Sequence, residues 1–179
     1  MTCIVATVEN GKVYMGGDSL VSSGGYSRIK REKKVYRVDE FLIGSAGSIR
    51  GSNLLRFSLN IPKNTGKDNF KYMVTVVVPI IRDLFKDEGY SKVDNNVEGI
   101  NAQLLIGYRG VVYNLYGDFQ VDIYAEDFTA VGSGKTYAVG AMEALNKTTL
   151  SPKEKIISAL EIVGKYNTFV GAPYYVEEL

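Results

Sequence analysis

Four residues of this 179-residue chain form a candidate reacting group: Thr2, the carboxylate of Asp18, and the adjacent lysines Lys33 and Lys34. Once the initiator methionine is removed, Thr2 carries a hydroxyl and a free α-amino group on adjacent carbons. A threonine hydroxyl is a weak nucleophile until a base takes its proton, and an α-amine, with an ordinary pKa of roughly 7.7–8, is one of the few protein bases that work near neutrality. A nearby cation lowers that pKa and keeps the amine unprotonated. A lysine and an acid are therefore the partners such a threonine needs. Asp18 closes a Gly16-Gly17-Asp18 run whose glycines permit close backbone approach, although such a run also simply terminates strands. In an alternating strand Lys33 and Lys34 point to opposite faces, so only one of them can meet Asp18. Solvated surface charge and a short phosphate-binding patch are the competing readings of the basic stretch from Arg28 to Lys34.

The chain has no histidine and one cysteine, Cys3. This excludes a Ser-His-Asp or Cys-His apparatus, an H-E-x-x-H zinc site and an internal disulfide. It also leaves a structural zinc without its usual ligands, so neither a metal nor a cofactor is expected. Cys3 reads as core filler in a strand. With 45% hydrophobic and 23% charged residues and a net charge of +1, the composition is that of a soluble globular protein, with no global attraction to nucleic acid or membrane. No apolar run approaches the roughly 18 residues of a membrane span, and the start lacks a signal-peptide pattern. A single cytoplasmic domain over residues 1–179 is the expectation.

The elements that must position these residues begin at once. Cys3–Val8 and Lys12–Gly16 read as strands joined by Glu9-Asn10-Gly11, a strong hairpin signal, so Thr2 is pinned to a sheet. Ser22–Gly25 reads as a loop. Phe41–Ser48 runs from an apolar strand into a Ser-Ala-Gly-Ser turn, which exposes backbone N–H groups suited to an oxyanion or simply packs tightly. Helices are predicted over Ile49–Leu59 and from Phe70 to Phe85, the second with Pro79 as the place for a kink. Lys86–Gly99 reads as a polar, turn-rich connection. Strands follow at Ala102–Tyr108, Val111–Tyr116, Gln120–Tyr124 and Phe128–Val131, then a helix over Thr136–Leu145. Ser151, Pro152 and Glu154 form a capping box for a last helix, and Phe169–Val176 reads as a closing strand. Two sheets packed face to face, with a helix pair on each outer side, satisfy this order: an α+β, four-layer αββα sandwich. Gly132–Thr136 imitates a phosphate-binding loop, but the required first glycine falls on Thr129, so nucleotide binding is not expected.

Several motifs in order resemble the proteasome β-type N-terminal nucleophile (Ntn) hydrolases, and within them the bacterial HslV peptidase. They are TCIVA…NGKVYMGGDS at the start, KKV at Lys33–Val35, SAGS at Ser45–Ser48, VGSGKTYAVGAMEAL from Val131 and ALEIVGK…VEEL from Ala159 to Leu179. The likeness runs nearly the full length. It implies Thr2 as nucleophile, Asp18 and Lys34 as the charged pair that orients it, Ser133 as a support for the amine, and the Gly47 backbone N–H as oxyanion donor. It further implies Val21 and Ser22 along a substrate-binding cleft, a double-stacked homo-oligomeric ring of six or seven subunits, a ring ATPase (unfoldase) as partner, and unfolded polypeptide as substrate. Thr-Cys stands at the start where bacterial members commonly have Thr-Thr. Asn167 and Val170 stand where the bacterial enzyme surrounds a monovalent cation. The leading expectation is a threonine endopeptidase; the alternatives are a catalytically silent ring or scaffold subunit of the same fold, and an amidohydrolase acting on a small amide.

Overall fold

The computed structural model describes residues 1–23 and 25–179. Two antiparallel strands, β1 (Cys3–Glu9) and β2 (Lys12–Gly17), form the opening hairpin, with Asn10 and Gly11 at φ 52° and 72° in its turn. Those left-handed angles are what a two-residue primed turn demands, and Asn-Gly adopts them cheaply. β1 sits inside a four-stranded sheet of order β12-β1-β2-β13, with β12 at Phe128–Gly132 and β13 at Tyr175–Glu178. The second sheet has the order β11-β10-β9-β6-β5, from Val121–Asp122, Val111–Leu115, Ala102–Tyr108, Phe41–Gly47 and Val35–Val38.

Both faces of β1 are apolar because both are covered. Ile4 and Ala6 face the second sheet and pack with Met15, Leu42, Leu105 and Val131. Cys3 and Val5 face outward onto α4 (Lys135–Leu145) and α5 (Pro152–Tyr166), against Ala138, Met142, Ile156 and Leu160. On the far side, Ile43, Leu104, Ile106 and Tyr108 of the second sheet pack beneath α1 (Ile49–Phe57) and the helix from Asn69 to Asp87 through Leu55, Met73, Ile81 and Phe85. The result is the four-layer αββα sandwich that the order of elements implies.

The helix after Asp68 shows how Pro79 is accommodated. It begins as α2 (Asn69–Tyr72), widens into a π-turn over Met73–Val77, and continues as α3 (Val78–Asp87). Proline lacks an N–H and its ring crowds the carbonyl four residues back; the wider turn, in which the Val78 N–H reaches the Met73 carbonyl, absorbs that defect. The capping box of α5 forms as read: Ser151 Oγ accepts from the Glu154 N–H, and the Ser151 N–H donates to Glu154 Oε2 at 2.8 Å.

Four segments differ from expectation. Ser22 and Ser23 belong to a strand, β3 (Leu20–Ser23), which forms a ribbon with β4 (Tyr26–Ile29); of the loop expected at 22–25, Gly24 lies outside the described residues. The stretch 86–99 contains a hairpin, β7 (Lys92–Asp94) with β8 (Val97–Gly99), turned by Asn95 and Asn96 at φ 47° and 64°. β11 is shorter than the strand expected at 120–124. The closing strand begins at Tyr175, because residues 167–171 are spent on contacts around Asp18 and Ser133.

Candidate active site

Asp18 and Lys34 meet in the interior, at 1% and 7% exposure. Lys34 Nζ donates to both Asp18 oxygens at 3.0 Å, to the Leu20 carbonyl at 2.7 Å and to the Met1 carbonyl at 3.3 Å. A buried ion pair offsets its desolvation only when the remaining lone pairs are also satisfied. Here they are: the Cys3 N–H donates to Asp18 Oδ1 at 3.0 Å, while the Leu20 and Gly171 N–H groups reach Oδ2 at 3.1 and 3.5 Å. Burial pushes the Lys34 ammonium below the usual lysine range, and Asp18 opposes that shift. Lys33 points the other way, onto Glu177 Oε1 at 2.5 Å and over the Tyr175 ring. Of the two lysines, only Lys34 meets Asp18.

Thr2 lies directly between this pair and β12. The Cys3 N–H held by Asp18 follows it in the chain, the Met1 carbonyl held by Lys34 precedes it, and Ser133 Oγ donates to the Thr2 carbonyl at 3.3 Å. Gly132, at φ +94°, lies so close that a Cβ there would overlap the Thr2 carbonyl oxygen. Although 6% exposed, Thr2 lines a cavity of about 360 Å³ with Gly47, Gly132 and Ser133. Gly47 ends β6 at φ +138°, a conformation that side-chain-bearing residues rarely adopt, and a Cβ there would strike the Asn101 carbonyl.

Five of the residues expected at the site are thus gathered: Thr2, Asp18, Lys34, Ser133 and Gly47. Ser22 lines a second cavity, of about 440 Å³, which it shares with Met1, Tyr26 and Phe169. Val21 lies beside Ser22 in β3, half-buried, and lines neither cavity. Cys3 is fully buried, and burial with the Asp18 charge pushes its thiol up to about 12, consistent with core filler.

Gly132 and the 167–171 segment were not legible beforehand. Asn167 Nδ2 donates to the Ser133 carbonyl at 3.0 Å, and the Gly171 carbonyl accepts from the Ser19 N–H at 3.2 Å. The family resemblance singles out Asn167, but as a neighbour of a monovalent cation and not as such a tether. The three donors to Asp18 are backbone groups, and no side-chain pattern encodes them.

A four-layer sandwich with a threonine at the mouth of its first strand, beside a buried Lys-Asp pair, is the architecture of the proteasome-like Ntn fold. A family model for proteasome subunits matches residues 1–167, and the chain belongs to that family. Among solved structures it is similar to BPH of Thiobacillus denitrificans, at 19% identity and a TM-score of 0.84 over 99% of this chain and 97% of that one. The same protein in complex with epoxomicin gives 18% and 0.83, covering 99% and 98%. HslV from Trypanosoma brucei gives 22% and 0.73, covering 99% of both chains.

Proposed function

We propose that this chain is the threonine endopeptidase subunit of a self-compartmentalising, ring-forming protease of the cytoplasm. The observation that carries the reading is the buried Asp18–Lys34 pair, bonded through the Met1 carbonyl and the Cys3 N–H to the backbone on either side of Thr2. After Met1 is removed, the Thr2 α-amine takes the proton of its own Oγ. The alkoxide attacks a peptide carbonyl, and the Gly47 N–H faces the developing oxyanion. The protonated amine then gives its proton to the departing peptide amine, leaving an ester on Thr2 that water hydrolyses with the amine again as base. Lys34 keeps the amine's pKa low by its charge, Asp18 holds Lys34, and Ser133 fixes the Thr2 carbonyl. Peptide substrate lies between Gly47 and the Val21-Ser22 strand.

The proposed assembly is a double-stacked ring of six or seven copies served by a ring ATPase, which delivers unfolded polypeptide. One observation favours a second reading. With Met1 in place the Thr2 nitrogen is an amide, and Met1 lines both cavities; a chain that keeps Met1 is a silent ring subunit. Peptide hydrolysis by Met1-free protein separates the two. Thr2→Ala is expected to abolish turnover while leaving the melting temperature within a few degrees, and full activity in Thr2→Ala would overturn the proposal.

A further inference from the structure

Gly47 is the joint between β6 and α1: it ends the strand, Ser48 caps the helix, and Ile49 begins it. With its N–H as oxyanion donor, the geometry of this joint bears on the rate. Gly47 has no side chain to lock it, and it is exposed on the wall of the Thr2 cavity. The groups that hold it therefore come from elsewhere in the chain. Gly47 pairs with Ala102 at the end of the β6–β9 ladder, and the Asn101 carbonyl packs against it where a Cβ would stand.

Among the described residues one side chain bonds that carbonyl: Tyr90 Oη donates to it at 3.2 Å. The Tyr90 ring also lies across Gly51 in the first turn of α1, so close that a Cβ there would stand 2.9 Å from Cζ. Its other neighbour is Phe85 of α3, with ring centroids 5.0 Å apart. Tyr90 thus touches both flanks of the joint, the helix that leaves Gly47 and the backbone that backs it. A second tie runs the same way, from the Arg50 guanidinium to the Glu88 carbonyl, two residues before Tyr90. Between Tyr90 and Asn101 stands the β7–β8 hairpin, closed at its base by Glu98, which accepts from Ser91 Oγ at 2.9 Å and from Arg82 Nε at 2.6 Å. Its Val93 and Val97 are exposed, so the hairpin adds little packing of its own to hold Asn101.

We propose that Tyr90 is a positioning residue for the oxyanion donor: its hydroxyl fixes the Asn101 carbonyl that backs Gly47, and its ring fixes the first turn of the helix that follows. A donor aimed before the substrate arrives needs no reorganisation as charge develops, which is what makes such donors effective. Tyr90 touches neither Thr2 nor its cavity and acts through Asn101 and Gly47. This rests on the reading of Thr2 and Gly47 above.

The test uses Met1-free wild type, Tyr90→Phe, Gly51→Ala and the double variant, with a fluorogenic peptide as substrate and two inhibitors of one sequence, a peptide amide and the matching peptide boronate. In the boronate adduct Thr2 Oγ bonds to boron, its proton passes to the α-amine and no bond at boron breaks; a boron hydroxyl then stands where the oxyanion would. Losing an oxyanion donor outright costs about a hundredfold to a thousandfold in kcat, whereas Tyr90→Phe keeps the donor and loosens it, so kcat is expected to fall about tenfold with KM within about twofold. The boronate Ki is expected to rise by the same factor while the amide Ki stays unchanged. Gly51→Ala crowds the ring and keeps the hydroxyl; it is expected to show the same split, and the double variant no more than the larger single loss. Wild type that neither cleaves the peptide nor takes the boronate overturns the Thr2 reading itself. Active wild type beside a Tyr90→Phe that retains kcat and boronate affinity, that weakens boronate and amide alike, or whose loss multiplies with that of Gly51→Ala overturns the role of Tyr90 alone.

Discussion

Lys34→Met keeps most of the lysine stem and deletes its charge. In the chain lacking Met1 the ammonium keeps its bonds to the two Asp18 oxygens and to the Leu20 carbonyl. Removing it leaves a carboxylate at 1% exposure without its countercharge. Breaking a buried pair from one side ordinarily costs about 3–5 kcal/mol. Three backbone N–H donors still face Asp18, which places the expected cost at the low end, about 3 kcal/mol. For a chain of this length about 3 kcal/mol corresponds to a fall in melting temperature of about 6–12 °C. The assay is thermal unfolding at fixed protein concentration, since assembly makes the midpoint concentration-dependent. Asp18→Asn added to Lys34→Met is expected to recover most of the fall, because the orphaned charge is gone. A fall below 2 °C at pH 7.5 would refute the picture of a desolvated pair.

Two further outcomes follow from the same geometry. Gly132→Ala forces a Cβ onto the Thr2 carbonyl at φ +94°; misplacing the reacting group by about 1 Å costs about a hundredfold in rate, so kcat is expected to fall by about that factor with KM little changed. Gly11→Ala, also at positive φ but in open space in the first turn, serves as control, and wild-type turnover in Gly132→Ala would contradict the placement of Thr2. The Cys3 thiol, pushed up to about 12 from 9.0, is expected to ignore thiol reagents in the native protein at pH 8. Above pH 9 the unfolded chain releases that proton while the native one keeps it, so stability falls with rising pH by about 1.4 kcal/mol per unit from this group. Urea titrations of wild type and Cys3→Ala between pH 9 and 11 measure that slope, and an identical slope in both would count against the burial argument.

The opening hairpin, the helix starts at Ser48 and Ser151 and the layer order were legible because each is a local signal: Asn-Gly for the turn, serine caps for the helices, apolar runs where a strand is covered on both faces. The site was legible where it consists of side chains, so Thr2, Asp18 and the lysine pair stood out. The choice of Lys34 over Lys33 could be narrowed only by the family resemblance and was decided by packing. The rest was hidden for a physical reason. Asp18 is held by the N–H groups of Cys3, Leu20 and Gly171, which every non-proline residue possesses. Ser22 was read as the start of a loop because the Ser-Ser-Gly-Gly composition of residues 22–25 carries no strand signal. The Phe169–Val176 run looked like a strand by residue type, but Gly171 within it is engaged with Asp18 and Ser19, and pairing starts only at Tyr175.

The most direct test of the account is the intact mass of the native protein before and after treatment with a peptide epoxyketone, beside Thr2→Ala. The account predicts a chain lacking Met1 that gains one inhibitor per subunit, with no adduct in Thr2→Ala. A chain that retains Met1 and takes no adduct would contradict it and identify this form as the silent ring subunit.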